Sequence, residues 1–432
     1  MDILYKNELD TIKIDVPSFG NQINIFREKI MTIFNSIQQN DIKIKYKLEN
    51  IKNINNTYTF DIFKYLYSNN LLKSLISDNL DDLKTIVNNN DKDGFNSWIN
   101  YYGNNVMEEI KNLLNKVPDN LVNRHINPEL INGFVETNIL DFIFNNITHK
   151  FITTINYKNI TINLKIYGDL TRTQFNDLVL RIILIGLYKS VEEPIVFNID
   201  IYLTDLKKNI KKSLNDKEII LGSRETNSGF AITGIMLCLY RSEELNKVII
   251  HELVHYLELD LGHIQFPNFH KHFNINPNTD FIRINESYTE ILGVVINSIL
   301  TTSNIEDTKY ILNYELKYSC YQVAKILQLY GFNNSYDFFY KEYDNNNLFK
   351  QNTSILSYFI LKTAIMYNLD DFLEKYMNKS EEINSNNYHH YIIKISHEYS
   401  YINIINDFIT FIRNNEKNNE LYLSLRMTCN NN

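Results

Sequence analysis

Up to about residue 145 apolar residues recur every three or four positions, as in Ile23, Phe26, Ile30, Ile33 and Phe34, with polar breaks around residues 88–94 and 117–120. That period marks amphipathic helices, so residues 1–145 are expected to form a helical leading region. The rhythm then shortens to two. Residues 151–157 and 160–167 are β-branched and alternating, and the link Lys158-Asn159 between them reads as a hairpin. A helix over about 173–188, a strand over 195–203 and a longer strand over 230–240 follow. Residues 146–303 should therefore be a mixed helix-and-strand domain. Helical spacing rich in Tyr and Phe returns at 310–329 and 355–367, which makes residues 304–432 a helical trailing region. The expected fold class is α+β, with helical regions on both sides of the central domain.

One helix of that domain carries chemistry. Ser242 reads as an N-cap, Glu243 and Glu244 suit the positive end of a helix dipole, and residues 245–259 continue without Gly or Pro. Within them lies His251-Glu252-Leu253-Val254-His255. The four-residue step stacks both imidazoles on one face, as two ligands of one tetrahedral ion require, and Glu252 projects beside them. The flanks Val248-Ile249-Ile250 and Tyr256-Leu257 are uncharged, so this helix belongs in a core where its polar exceptions need partners. Zinc is one such partner. Core histidines bonded to carboxylates, with Glu252 paired to a Lys or Arg, are the other reading.

A catalytic zinc takes three protein ligands and leaves a position for water. A HExxHxxGxxH pattern would need Gly and His where the chain has Glu258 and Leu261, and His263 comes too late. A later segment, Asn285-Glu286-Ser287-Tyr288-Thr289-Glu290, supplies carboxylates on a helix with apolar residues at Ile282, Tyr288, Ile291, Leu292 and Val295. Glu286 and Glu290 share a face, and Gly293 one turn on would let a neighbouring helix approach. Spacing alone leaves the two carboxylates interchangeable. A solvated face with Arg283 as salt-bridge partner is the alternative for both.

Val248 to Leu257, together with residues 284–290, resemble the zincin metallopeptidases of the glutamate-ligand branch, the gluzincins, a group that includes thermolysin-like proteases and zinc aminopeptidases. The resemblance covers roughly residues 150–300. It implies a zincin-like domain holding one Zn²⁺ per chain, with His251, His255 and Glu286 as ligands, Glu290 supporting His251 from behind, and Glu252 activating a water for peptide hydrolysis. It also implies an edge strand ahead of the metal helix, where an extended substrate adds as a strand, and residues 230–240 stand in that place. Two departures count. The stretch between His255 and Glu286 is longer than in thermolysin-like enzymes, so the segment bearing His263, His270 and His272 is an elaboration. No Gly-x-Met-Glu-Asn motif precedes the helix, which favours an endopeptidase over an aminopeptidase. Tyr388, His389, His390, Tyr391 and His397 are downstream candidates for stabilising an oxyanion. The rival from a different class is a catalytically silent zincin-fold scaffold, and the intact Glu252 argues against it.

Composition narrows the partners. In 432 residues, 44% hydrophobic and 22% charged, a net charge of −8 argues against nucleic acid, because neutralising phosphates needs an excess of Lys and Arg. Lys207, Lys208, Lys211, Lys212 and Lys217 are the one dense basic cluster, expected as a solvated loop or helix face. Cys238, Cys320 and Cys429 form no CxxC pair, which fits a reducing compartment. No apolar run reaches the roughly 18 residues of a membrane span and the opening lacks a signal-peptide pattern, so a cytoplasmic protein acting on peptide or protein, with no membrane partner, is expected. A skew to Asn and Ile, with Ala only at Ala231, Ala324 and Ala364, fits AT-rich coding and resembles proteins of large cytoplasmic DNA viruses.

Overall fold

The computed structural model describes residues 3–50, 58–69, 80–91, 94–95, 110, 112–113, 116–118, 130, 135, 137–189, 193–210, 221–262, 269–275, 282–340, 349–378, 385–415 and 419–430. In chain order its main elements are α1 (Lys6–Thr11), α2 (Gln22–Asn35), β1 (Lys43–Asn50), α3 (Tyr58–Ser68), α4 (Leu80–Asn88), α5 (Thr137–Asn146), β2 (His149–Tyr157), β3 (Ile160–Tyr167), α6 (Arg172–Tyr188) and β4 (Ile195–Tyr202). There follow β5 (Gly229–Ile232), β6 (Met236–Leu239), α7 (Leu245–Tyr256), α8 (Asn285–Leu300), α9 (Ile305–Leu329), α10 (Lys362–Tyr367), α11 (Ser385–Ser396) and α12 (Tyr399–Asn414).

The strands make one mixed sheet in the order β1-β2-β3-β4-β6-β5. The β2/β3 hairpin turns through Lys158, whose φ of 51° supplies the left-handed residue a tight turn needs. β3 and β4 then run parallel, with α6 as the crossover. That helix starts where Thr171 and Gln174 form a reciprocal capping box.

Alternation along the strands sorts side chains to two faces. Ile162, Leu164, Phe197, Ile199 and Leu237 join a core with Ile23 and Phe26 of α2, Ile182 of α6, Ile250 of α7 and Leu316 of α9, so one buried cluster draws on the leading, middle and trailing stretches. Tyr167, Tyr202, Met236, Cys238 and Tyr240 join a second cluster with Phe60, Phe63, Leu140 and Ile143 from α3 and α5. Tyr167 and Tyr202 stack there, with ring centroids 4.2 Å apart. The α+β class holds at this level.

Several local expectations change. The leading region contributes β1, whose Lys43, Lys45 and Lys47 alternate with Ile44, Tyr46 and Leu48; this short period-two run pairs with β2 at one edge. The strand expected over 230–240 is a hairpin, β5 and β6, turning through Gly234 at φ 63°. β6 pairs on both sides, so of these two strands β5 is the one at the sheet edge, opposite the edge formed by β1. Ser242 does not cap the helix bearing His251 and His255: its hydroxyl donates to the Thr204 carbonyl at 2.8 Å, and α7 begins after Glu244, itself at φ 59°, and ends at Tyr256. Glu243 and Glu244 serve burial rather than the dipole. Glu244 accepts from Lys208 Nζ at 2.5 Å and from the Met427 and Thr428 amides at 2.7 and 2.8 Å. Lys208 is thus a buried cation and no solvated one, while Lys211, Lys212 and Lys217 lie outside the described residues. Among the described residues no helix is long and apolar enough to cross a membrane.

Candidate metal centre

α7 and α8 carry the site, and small size at one position lets them meet. A Cβ on Gly293 would lie 3.3 Å from Lys247 Cδ and 3.4 Å from the Lys247 carbonyl, with His251 Cβ at 3.6 Å. A Cβ there would require the Lys247 stem to give by a few tenths of an ångström, so the glycine suits this close approach of the two helices. At this spacing the i, i+4 pairs of the two helices interlock. His251 and His255 rings stand 4.9 Å apart, and Glu286 Oε2 sits 3.4 Å from His251 Nε2 and 3.1 Å from His255 Nε2.

The outer nitrogens are held as well. His255 Nδ1 lies 2.7 Å from Asp260 Oδ2, and Asp260 also accepts from Asn285 Nδ2 and from the Gly262 amide. His251 Nδ1 lies 2.9 Å from Glu290 Oε2, an ion-pair distance off the line of a straight hydrogen bond. With a metal bound, carboxylates at both Nδ1 atoms would hold the ring protons outward and leave both Nε2 atoms for an ion shared with Glu286. Ligands held tetrahedrally at about 2.0–2.1 Å from zinc lie about 3.3 Å from one another, close to the 3.4 and 3.1 Å between Glu286 Oε2 and the two Nε2 atoms. His251, His255 and Glu286 are the group of possible metal ligands among the described residues, and three ligands leave one tetrahedral position open. Glu286 and Glu290 are buried, which removes the solvated-face alternative for both.

The charges follow the geometry. Burial opposes ionisation of all of these groups, but Glu286 and Asp260 raise His255 well above the ordinary imidazole value, and Glu286 with Glu290 raises His251. The same contacts hold Glu286 well below the carboxylate range despite burial. Glu252 goes the other way. Burial pushes it up, only partly offset by the two histidines.

Glu252 faces the sheet edge. A Cβ on Gly229, the first residue of β5, would stand 3.0 Å from Glu252 Oε1 and 2.9 Å from the Cys238 carbonyl. Gly229, Val248, His251, Glu252, Tyr358 and Met427 line one small cleft. Tyr358 lies on a π-helical turn, Leu356–Leu361, leading into α10, with its ring centroid 6.0 Å from that of His251. Burial and the nearby Glu286, Glu252 and Glu290 raise its phenol well above the ordinary value, so it stays a proton-bearing donor.

Other candidates go elsewhere. Tyr388 is buried with its hydroxyl 2.8 Å from Ser287 Oγ, and Tyr391 packs its ring on Tyr376. His272, His389 and His397 gather in a cluster of their own, with His397 Nε2 2.8 Å from the His272 carbonyl and His390 next to His389. His263 lies outside the described residues, as does the side chain of His270. Sequence reasoning missed Asp260, Lys247 and Tyr358. Asp260 shows only as an acid shortly after the helix, Lys247 as a lone charge before it, and Tyr358 is one tyrosine among many in a segment that reads as core.

No family model and no solved structure matches the chain. It is similar to "Uncharacterized protein R210" of Acanthamoeba polyphaga mimivirus, 32% identical over 195 residues, which is 42% of this chain and 49% of that protein. The chain thus spans about half the length of the relative it matches, and that relative's name carries no activity.

Proposed function

We propose that the protein is a zinc-dependent metallopeptidase acting within peptide chains, with His251, His255 and Glu286 as ligands. One observation carries the reading: two Nε2 atoms converge on one Glu286 oxygen while each Nδ1 is held by a carboxylate, with Glu252 beside them at a free sheet edge. A structural site has no need of that acid and closes its fourth position with protein.

A zinc ion held there would polarise the scissile carbonyl and bring a coordinated water toward a pKa of about 7. Glu252 accepts the proton of the attacking water and returns it to the leaving nitrogen. Its raised pKa keeps it matched to both transfers. The Tyr358 hydroxyl donates to the oxygen on which charge develops. β5 offers its unpaired backbone groups to an extended substrate, whose backbone then lies along the cleft bounded by Gly229 and Glu252.

The test is metal content followed by hydrolysis of a peptide library by the full chain, with chelator and with Glu252→Gln. About one zinc per chain, chelator-sensitive cleavage, and a Glu252→Gln variant that keeps its zinc but loses at least about 100-fold in rate support the reading. Cleavage by that variant at the wild-type rate, or a zinc-loaded wild type that cleaves none of the peptides, refutes it.

A further inference from the structure

Lys247 precedes His251 by one turn on the same face of α7, and it is as buried as the groups it faces. Its Nζ donates to Glu290 Oε1 at 2.7 Å and lies 3.7 Å from Met427 Sδ. The other oxygen of that carboxylate is the one 2.9 Å from His251 Nδ1. Glu290 is therefore a bridge, one oxygen on an ammonium and one on an imidazole. The lysine's bond meets hydrogen-bond geometry and the histidine's contact is off-line, so the ammonium is the group that sets the carboxylate's rotation. Gly293 lies close by, where an added Cβ would stand 3.3 Å from Lys247 Cδ and 3.4 Å from the Lys247 carbonyl oxygen.

We propose that Lys247 is a positioning residue of the metal centre, acting through Glu290 to aim His251 Nε2 at the shared ligand point. Charge and shape both require it. Glu286, Glu290 and Glu252 put three carboxylates on or beside two helix turns, and a buried carboxylate without a cation is strongly destabilised. With Lys247 in place Glu290 is held on two sides. Without it, Glu290 is free to rotate onto the histidine or to swing away, and the imidazole loses its fixed direction.

The inference rests on the metal-site reading above, and a double-mutant cycle on metal affinity tests it separately from catalysis. Metal-stripped full-length wild type, Lys247→Met, Glu290→Gln and the double variant are titrated with Zn²⁺. Each single change should weaken binding by about 10–100-fold, as loss of an outer support does. The double variant should bind about as well as Glu290→Gln alone, because the lysine has nothing left to act through. The visible spectrum of the Co²⁺-substituted protein should change alike in both single variants, which a merely structural lysine would not produce. Should Lys247→Met fail to fold, Glu290→Gln against the double variant decides, since the double variant removes both charges of the Lys247–Glu290 pair and leaves neither without the other. Equal affinities support the proposal and a further drop on removing Lys247 overturns it. Wild-type affinity in Lys247→Met, or single effects that multiply in the double variant, also overturns it. A wild type that takes up no zinc removes instead the site reading beneath it.

Discussion

Gly229→Ala probes the seam between the substrate edge and the proposed base. The added methyl would stand 2.6 Å from Leu239 Cδ2, 2.9 Å from the Cys238 carbonyl oxygen and 3.0 Å from Glu252 Oε1. Ordinary contacts are about 3.5–4.0 Å, so each neighbour must give by at least about half an ångström. The leucine tip can rotate. The carbonyl cannot, because Gly229 is in register with Leu239 and Phe230 with Cys238 in the β5/β6 ladder, so β5 must lift or Glu252 must move. Overpacking of this kind costs about 1–3 kcal/mol and lowers Tm accordingly. A 1 Å misplacement of a reacting group can cost about 100-fold, so half of that predicts a loss of about tenfold in kcat/KM with zinc content unchanged. Thermal unfolding, metal analysis and peptide hydrolysis read the three quantities. Gly234→Ala is the control: no atom lies within 4 Å, but its φ of 63° strains a side chain, so stability should fall by about 1–2 kcal/mol while the rate holds. A Gly229→Ala protein with wild-type Tm and wild-type rate would refute the packing argument.

Tyr358→Phe should keep its zinc and its KM yet lose about 100–1000-fold in kcat, as removal of an oxyanion donor does; a rate close to wild type would take Tyr358 out of the mechanism. Glu244→Gln tests the buried pair at the start of α7. Burial raises the Glu244 carboxyl, but Lys208, Lys247 and Arg426 outweigh it and bring it down to about 2. A depressed carboxylate contributes its full stability above its ordinary value of 4.5 and loses it as pH falls through about 2. The variant should be about 3–5 kcal/mol less stable at neutral pH, with the gap to wild type closing in acid; denaturant unfolding at several pH values that showed a constant gap would contradict this.

Periodicity was enough to read the β2/β3 hairpin, α6, β4 and α9, because in each the alternation or helical spacing runs long enough to outweigh neighbouring signals. The His251, Glu252 and His255 face was equally legible, since a four-residue step on a helix brings side chains together whatever the tertiary structure. Spacing alone left Glu286 and Glu290 interchangeable. Both lie on one face of α8, and the packing of α7 against α8 puts Glu286 against both Nε2 atoms and Glu290 against His251 Nδ1. The edge strand was misread because the run from Phe230 to Tyr240 is apolar apart from Thr233-Gly234, and the left-handed turn at Gly234 divides it there. Glu243 and Glu244 fitted a helix dipole by local rules, but burial against Lys208 and Arg426 overrode that preference. Asp260, Lys247 and Tyr358 carry no local pattern at all. Their roles arise from proximity: a turn through Glu258 at φ 54° brings Asp260 under His255, one helix turn sets Lys247 against Glu290 of another helix, and Tyr358 reaches the cleft from about 100 residues further along the chain. Contacts so distant in sequence are decided by how whole elements pack, which no window of neighbouring residues encodes.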